Sequence, residues 1–309
     1  MAKYILQRFG YMLVTLIIIA TFSFILMKML PGSPLTAEQK VTEAQREIIL
    51  DKYGLNDPVP IQYLRYMGNL AQGDLGISFQ MKNQPVTDIL LSRIPVSAQL
   101  GLQALLIGTF LGMLLGLVAA IRNNSWMDYS ANIISVIGIS IPSFIFAGLM
   151  QYFLGVRFGL LPVAFWGSFQ QTIMPTIALA IFPMAISARF LRTEMIEVLG
   201  SDYIVTARAK GVTKAGILFK HGLRNALIPL VTVMGPMAVS LMTGTLVIEQ
   251  IFSIPGIGEQ FVSSIMTNDF AIIMGTTLFF AFFFIFIILV IDILYGIIDP
   301  RIRLAGGKD

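Results

Sequence analysis

Apolar residues in this chain gather into blocks of about twenty positions with few polar interruptions. Six blocks, at about 9–29, 98–121, 132–154, 172–191, 226–248 and 276–298, reach the roughly 20 residues a helix needs to cross the hydrocarbon of a bilayer. A membrane β-barrel would instead alternate apolar and polar positions over segments of about ten residues, and an unbroken run such as 279–291 is the opposite pattern. The pattern therefore predicts an all-α membrane protein with six transmembrane helices. Composition agrees: 12% of the 309 residues are charged and the mean hydropathy is +0.80, against about 25% charged residues in an ordinary soluble domain.

Polar punctuation orders these blocks. Lys3 and Arg8 precede the first, whose core is longer than a secretory signal's and is followed by no small-x-small cleavage site, so it reads as an uncleaved anchor over 1–30. Placing the N-terminus inside puts Lys3, Arg8, Arg122, the cluster from Arg189 to Arg224, Arg301, Arg303 and Lys308 on one side. That side is cytoplasmic by the positive-inside rule. The opposite short loops carry Arg157 and, from 249 to 275, no Lys or Arg. Both termini are then cytoplasmic. Residues 31–97 form an external insertion in which Pro58, Pro60 and Gly73 delimit short helices at 43–52 and 61–71; 98–300 is the transmembrane core, with a cytoplasmic region at 201–225, and 301–309 a cytoplasmic tail. Without internal repeats, this is one membrane domain with an insertion.

The cytoplasmic region has its own grammar. In "DYIVTARAKGVTKAGILFKHGLRNALIPLV", residues 202–231, Asp202 suits a helix N-cap, eight residues without Gly or Pro follow, and Gly211 stands where a left-handed C-cap falls. Arg208 and Lys210 occupy the last turn, favoured there by the helix dipole, while Ala207 and Ala209 keep the helix thin. Thr213 caps a second, interfacial helix in which Lys214, Lys220, His221 and Arg224 alternate with Ile217, Leu218 and Leu223. Charge alone fits an anionic-lipid anchor equally well. A small capped helix is more than a lipid anchor requires.

Several stretches together resemble one family. "TARAKG" and "RNALIP" are similar to the cytoplasmic loop of binding-protein-dependent ABC importer permeases, whose Glu-Ala-Ala, three residues, Gly pattern marks the helix that seats in an ATPase groove. Ala207 and Gly211 match; Val205 and Thr206 replace the Glu and first Ala, and Ile228-Pro229 lies farther on, as in the peptide and nickel branch. "LPGSP" (30–34), "YGLNDPVPIQYLRY" (53–66), "GDLGIS" (73–78), "SIPSF" (140–144), "IEQIFSIPGIGEQF" (248–261) and "DILYGIIDPRIR" (292–303) extend the resemblance over nearly the whole chain, on the side of the first membrane subunit of an oligopeptide importer. The resemblance implies a type I ABC importer permease fold and coupling through Asp202, Ala207, Arg208, Ala209, Lys210 and Gly211. It implies a second homologous permease, two ATPase subunits that hold ATP and Mg, an external peptide-binding lipoprotein and membrane lipid as partners, with no cofactor on this chain and no nucleic acid. Dipeptides or nickel are the alternative cargoes within the family.

Other residues take candidate roles. Gly108, Gly112 and Gly116 repeat a small-xxx-small spacing suited to close helix packing. Pro142, Pro175, Pro183, Pro229 and Pro236 interrupt helical hydrogen bonds, as is tolerated beside a cavity or a satisfying neighbour; Pro142, Ser143, Pro183 and Ser187 are candidates for lining a pathway, with Ser140 and Gln151 as further polar positions. Arg189 and Asp292 are each intramembrane charges that either pair or snorkel. Glu249, Pro255 and Gly256 belong to an external stretch that, by resemblance, closes the pathway and meets the binding protein, with Gly258 helping it turn. The phosphate-binding Gly-x4-Gly-Lys-Ser/Thr pattern is absent, and one histidine without cysteine gives neither a zinc site nor a hydrolase triad. A self-sufficient secondary transporter, which would show duplicated halves or midplane acids, is the competing class.

Overall fold

The structure is a computed structural model that describes residues 2–29, 54, 56–78, 80–242 and 245–298. It is helical almost throughout. Helix α1 (Ala2–Met29) is followed by α2 (Val59–Ala71), a two-residue hairpin of β1 (Ile77–Ser78) and β2 (Gln84–Pro85), and α3 (Val86–Ile121). Then come α4 (Trp126–Ser140), α5 (Ser143–Met150) continued by a π-helical turn Gln151–Arg157, α6 (Phe169–Leu199) and α7 (Asp202–Ala209). A π-helical segment Gly216–Leu223 leads into α8 (Arg224–Met242), and α9 (Leu246–Ile251), α10 (Ile257–Met266) and α11 (Phe270–Ile298) complete the order. The motif at 30–34, the helix expected at 43–52 and the tail 301–309 lie outside the described residues.

Five described helices are long and apolar enough to cross a membrane, and the pair Trp126–Ser140 and Ser143–Arg157 makes a sixth if counted as one span. That pair is bent by 98°. The expected third span, 132–154, is thus a broken one, because Pro142 forces Ile141 into extended backbone (φ −90°, ψ 122°). The second span also departs from expectation. Its helix begins at Val86 rather than 98, so the last part of the expected insertion is helical; Pro95 inside it removes one donor, to the Leu91 carbonyl, without ending the helix.

The chain packs as two compact units: one contains residues up to Pro95 and from Gly256 onward, the other Val96–Pro255. In the first, α1 packs against α11, and α2 docks on α1 through Phe24 against Tyr63 and Tyr66, with Thr21 and Tyr63 hydroxyls 2.8 Å apart. Val86, Ile89, Leu90, Ile257 and Ile272 form its buried core, and Arg93 pairs with Glu259 at 2.8 Å. Asp269, the residue before α11, accepts from the Ser78 hydroxyl of the hairpin.

The second unit is built around a seam of small residues. A Cβ added to Gly108, Gly112 or Gly116 of α3 would lie 2.4, 2.3 and 2.5 Å from the carbonyl oxygens of Ala180, Met184 and Ala188 of α6. Both helices advance in steps of four, so they run parallel with their backbones almost touching. Antiparallel to α3 runs α8: Gly101 meets the Leu241 carbonyl, Thr109 donates to Met234 Sδ at 3.3 Å, and Ala120 shares a core with Ala226. Alternating directions put Arg122, Arg189 and the 201–225 region at one end of this unit and Arg157 and Glu249 at the other.

Candidate functional site

The short helix expected in the basic region is present as α7, eight residues long. Its N-cap is Ser201 in extended backbone (φ −76°, ψ 153°), not Asp202. The Ser201 hydroxyl donates back to the Val198 carbonyl at 2.6 Å, while its own carbonyl receives Ile204 N at 3.0 Å. Asp202 is instead the first helical residue, where a carboxylate still complements the positive end of the dipole.

The helix closes with a Schellman motif. Gly211 N donates to the Arg208 carbonyl at 3.0 Å and Val212 N to the Ala207 carbonyl at 3.1 Å, with Gly211 at φ +79°. A Cβ at Gly211 would meet nothing within 4 Å. Backbone conformation, not space, is what calls for glycine there.

One face of α7 anchors it. Ile204 is fully buried and Ala207 nearly so, and the Tyr203 hydroxyl accepts Asn225 Nδ2 at 3.0 Å, which ties α7 to the first turn of α8. The other face is open. Val205, Arg208, Ala209, Lys210 and Val212 are exposed, leaving two valines set in a basic surround. Thr213 caps the next turn as expected, its hydroxyl accepting Gly216 N at 3.2 Å. The following helix is π-helical over Gly216–Leu223, so Ile217 and Gly222, five apart, share the buried side. Lys214, Lys220 and Arg224 stay exposed.

The other candidates are distributed through the fold. Pro142 is exposed at the break, as N-cap of α5, with Ser143 half-buried after it. Pro183 and Ser187 are buried in the α3–α6 seam, against Gly108 and Gly112, and the Ser187 hydroxyl donates to Met234 Sδ at 3.5 Å. Glu249 on α9 is fully buried and accepts the Ser97 hydroxyl at 2.8 Å. The turn expected from Pro255, Gly256 and Gly258 is made by Ser253 at φ +51°; Gly256 is the extended N-cap of α10 and Gly258 is buried within that helix. Arg189 is exposed, and the Asp292 side chain lies outside the described residues. Sequence reading passed over a buried ion pair. Asp128 of α4 is 1% exposed and holds Arg192 of α6 through both carboxylate oxygens, at 2.5 and 2.7 Å. A charge four residues from a span's apolar run was its only signal.

Residues 112–304 match the family described as binding-protein-dependent transport system inner membrane component, and residues 1–101 match the N-terminal region described for such membrane components. The dipeptide transport system permease protein DppB of Lactococcus lactis is 50% identical over 98% of this chain and 100% of its own length. The oligopeptide transport system permease protein OppB of Haemophilus influenzae is 41% identical over 98% and 100%. A crystal structure of an amino acid ABC transporter with histidines shares the fold, with a TM-score of 0.52 at 16% identity over 70% of this chain and 94% of that one. With its several membrane-spanning helices, this chain belongs to the family of binding-protein-dependent transport system inner membrane components, as a multi-pass protein of the cytoplasmic membrane.

Proposed function

We propose that this chain is one of two membrane subunits of a peptide importer and that it receives the work of ATP hydrolysis through α7. The carrying observation is the anchored, capped and otherwise exposed α7: a rigid protrusion of two valines ringed by Arg208 and Lys210 suits a groove with an apolar floor and an acidic rim. A lipid surface needs no such rigid knob. ATP and Mg are held by two partner ATPases, an external peptide-binding lipoprotein delivers cargo, and a second homologous permease completes the pathway. In this reading Asp202, Arg208, Ala209, Lys210 and Gly211 meet the groove while the buried Ala207 holds the helix on its own subunit, on the cytoplasmic side, with both chain termini. Pro142 and Ser143 at the break border the pathway, while Glu249, Pro255 and Gly256 belong to its outer end. Pro183 and Ser187, inside the seam, act on it through packing.

Oligopeptide import is the reading favoured by the motifs, and the relatives named for dipeptides and for oligopeptides share peptides as cargo. The experiment is reconstitution in liposomes. The chain alone should accumulate no peptide under a proton or sodium gradient; with the second permease, both ATPases and the binding protein, labelled peptides should accumulate only when ATP is present. Gradient-driven accumulation by the isolated chain would overturn the importer reading in favour of a secondary transporter.

A further inference from the structure

The face of α4 that packs on α6 carries one directional contact. Its buried residues are Asp128, Ala131, Ser135 and Gly138. Ser135 spends its hydroxyl on its own helix, donating to the Ala131 carbonyl at 2.8 Å, and a Cβ at Gly138 would meet Ala185 Cβ at 3.0 Å and Ile181 Cγ2 at 3.1 Å. Beyond Asp128 the contact is therefore small and smooth. Asp128 is the opposite: besides the forked Arg192, it accepts Asn124 N at 2.9 Å and Asn132 Nδ2 at 3.0 Å, and Arg192 Nη2 also donates to Asn123 Oδ1 at 3.3 Å. A two-pronged guanidinium–carboxylate pair holds this end of α4 at a set place on α6 and resists sliding between the two helices.

The pair also joins the two features that matter for coupling. From Arg192, α6 runs only to Leu199, about 10 Å at 1.5 Å per residue, and Gly200 and Ser201 connect it directly to α7. From Asp128, α4 runs to the 98° break before α5. We propose that Asp128 and Arg192 are positioning residues that form the pivot of α4, so that a displacement of α7 passed along α6 swings the broken pair at Ile141 and Pro142. The inference rests on the importer reading with α7 as its ATPase contact. A pinned end and a smooth remainder let α4 rotate without sliding, and the arm beyond the pivot converts small movements at the ATPase side into larger ones at the break.

The test measures peptides imported per ATP hydrolysed by the complete reconstituted importer. Asp128→Asn removes the charge at constant shape, Arg192→Lys keeps the charge and removes the fork, and the reversal Asp128→Arg with Arg192→Asp restores a pair. Each single variant should lower the peptide-to-ATP ratio by about two- to thirtyfold, the span seen for residues that modulate coupling, while binding-protein-stimulated ATP hydrolysis per assembled complex persists. The reversal should recover part of the ratio, as interacting neighbours do in a double-mutant cycle. An unchanged ratio in Arg192→Lys would overturn the pivot. So would import and hydrolysis falling in proportion per assembled complex, which marks a purely structural pair. A wild-type complex that fails to import would sink the importer reading itself, a separate outcome.

Discussion

Gly112 and Gly211 are the same residue for opposite reasons. At Gly112 the backbone is ordinary helix and the space is missing: a Cβ would lie 2.3 Å from the Met184 carbonyl oxygen. At Gly211 the space is open and the backbone is unusual, at φ +79°. The first glycine builds the inside of a membrane unit, where helices without a hydrophobic drive toward each other gain from close van der Waals approach. The second shapes a surface, where the chain must stop a helix and turn at a set angle. A membrane subunit that works against a soluble motor needs both, and their failures should look different.

The largest effect is expected at the seam. Gly112→Val forces backbone against backbone, an overpacking that costs about 1–3 kcal/mol or more, and Ser187, whose Cβ lies 2.7 Å from the same added atom, closes the other escape. Folded, detergent-extracted protein should fall sharply, as read by size-exclusion profiles of a tagged chain. Normal yield and monodispersity would show that the helices separate more easily than the geometry says.

At Gly211 the effect should be smaller and should sit on function. Gly211→Val places a β-branched residue in left-handed backbone, a strain on the order of 1 kcal/mol or more, with no steric clash to disturb the fold. Membrane abundance should hold while ATP-driven uptake drops. Gly211→Asn, which tolerates that backbone, should keep most uptake. Equal loss in both variants would point to lost space rather than conformation and erase the contrast with Gly112.

The smallest functional change comes from asking only which side each region faces. The chain has no cysteine, so Asn56→Cys and Lys214→Cys, both at exposed positions, should leave uptake near normal. In intact cells an impermeant thiol reagent should label only the Asn56 variant. Equal labelling of the Lys214 variant would move α7 away from any cytoplasmic motor.

Much of the fold was legible because its signals are local. Apolar length marks a span wherever it packs: four of the six expected blocks lie on single described helices, the third is bent into two pieces, and the fifth runs from α8 into α9 across residues 243–244, outside the described ones. The eight residues of α7 and the left-handed Gly211 were readable from the absence of Gly and Pro followed by a glycine stop. Ser201 was not, since Ser201 and Asp202 are equally good caps and only the path of the chain after α6 selects between them. Glycines every four residues announced close packing, but not that α6 supplies the partner carbonyls.

Two families of facts had no local signal. The pairing of Asp128 with Arg192 spans 64 residues, and sequence favoured attention to Arg189, one turn away and, in the structure, facing out. Three residues along a helix rotate a side chain by about 60° from the axis view, so which arginine faces α4 is decided by how α6 is turned in the seam. The division into two units at Pro95 and Gly256 likewise follows from which helices pack together. Local chemistry determined the elements, their ends and the family's motifs; rotation and partnering of the helices, set by packing summed over many distant residues, were left to the tertiary structure.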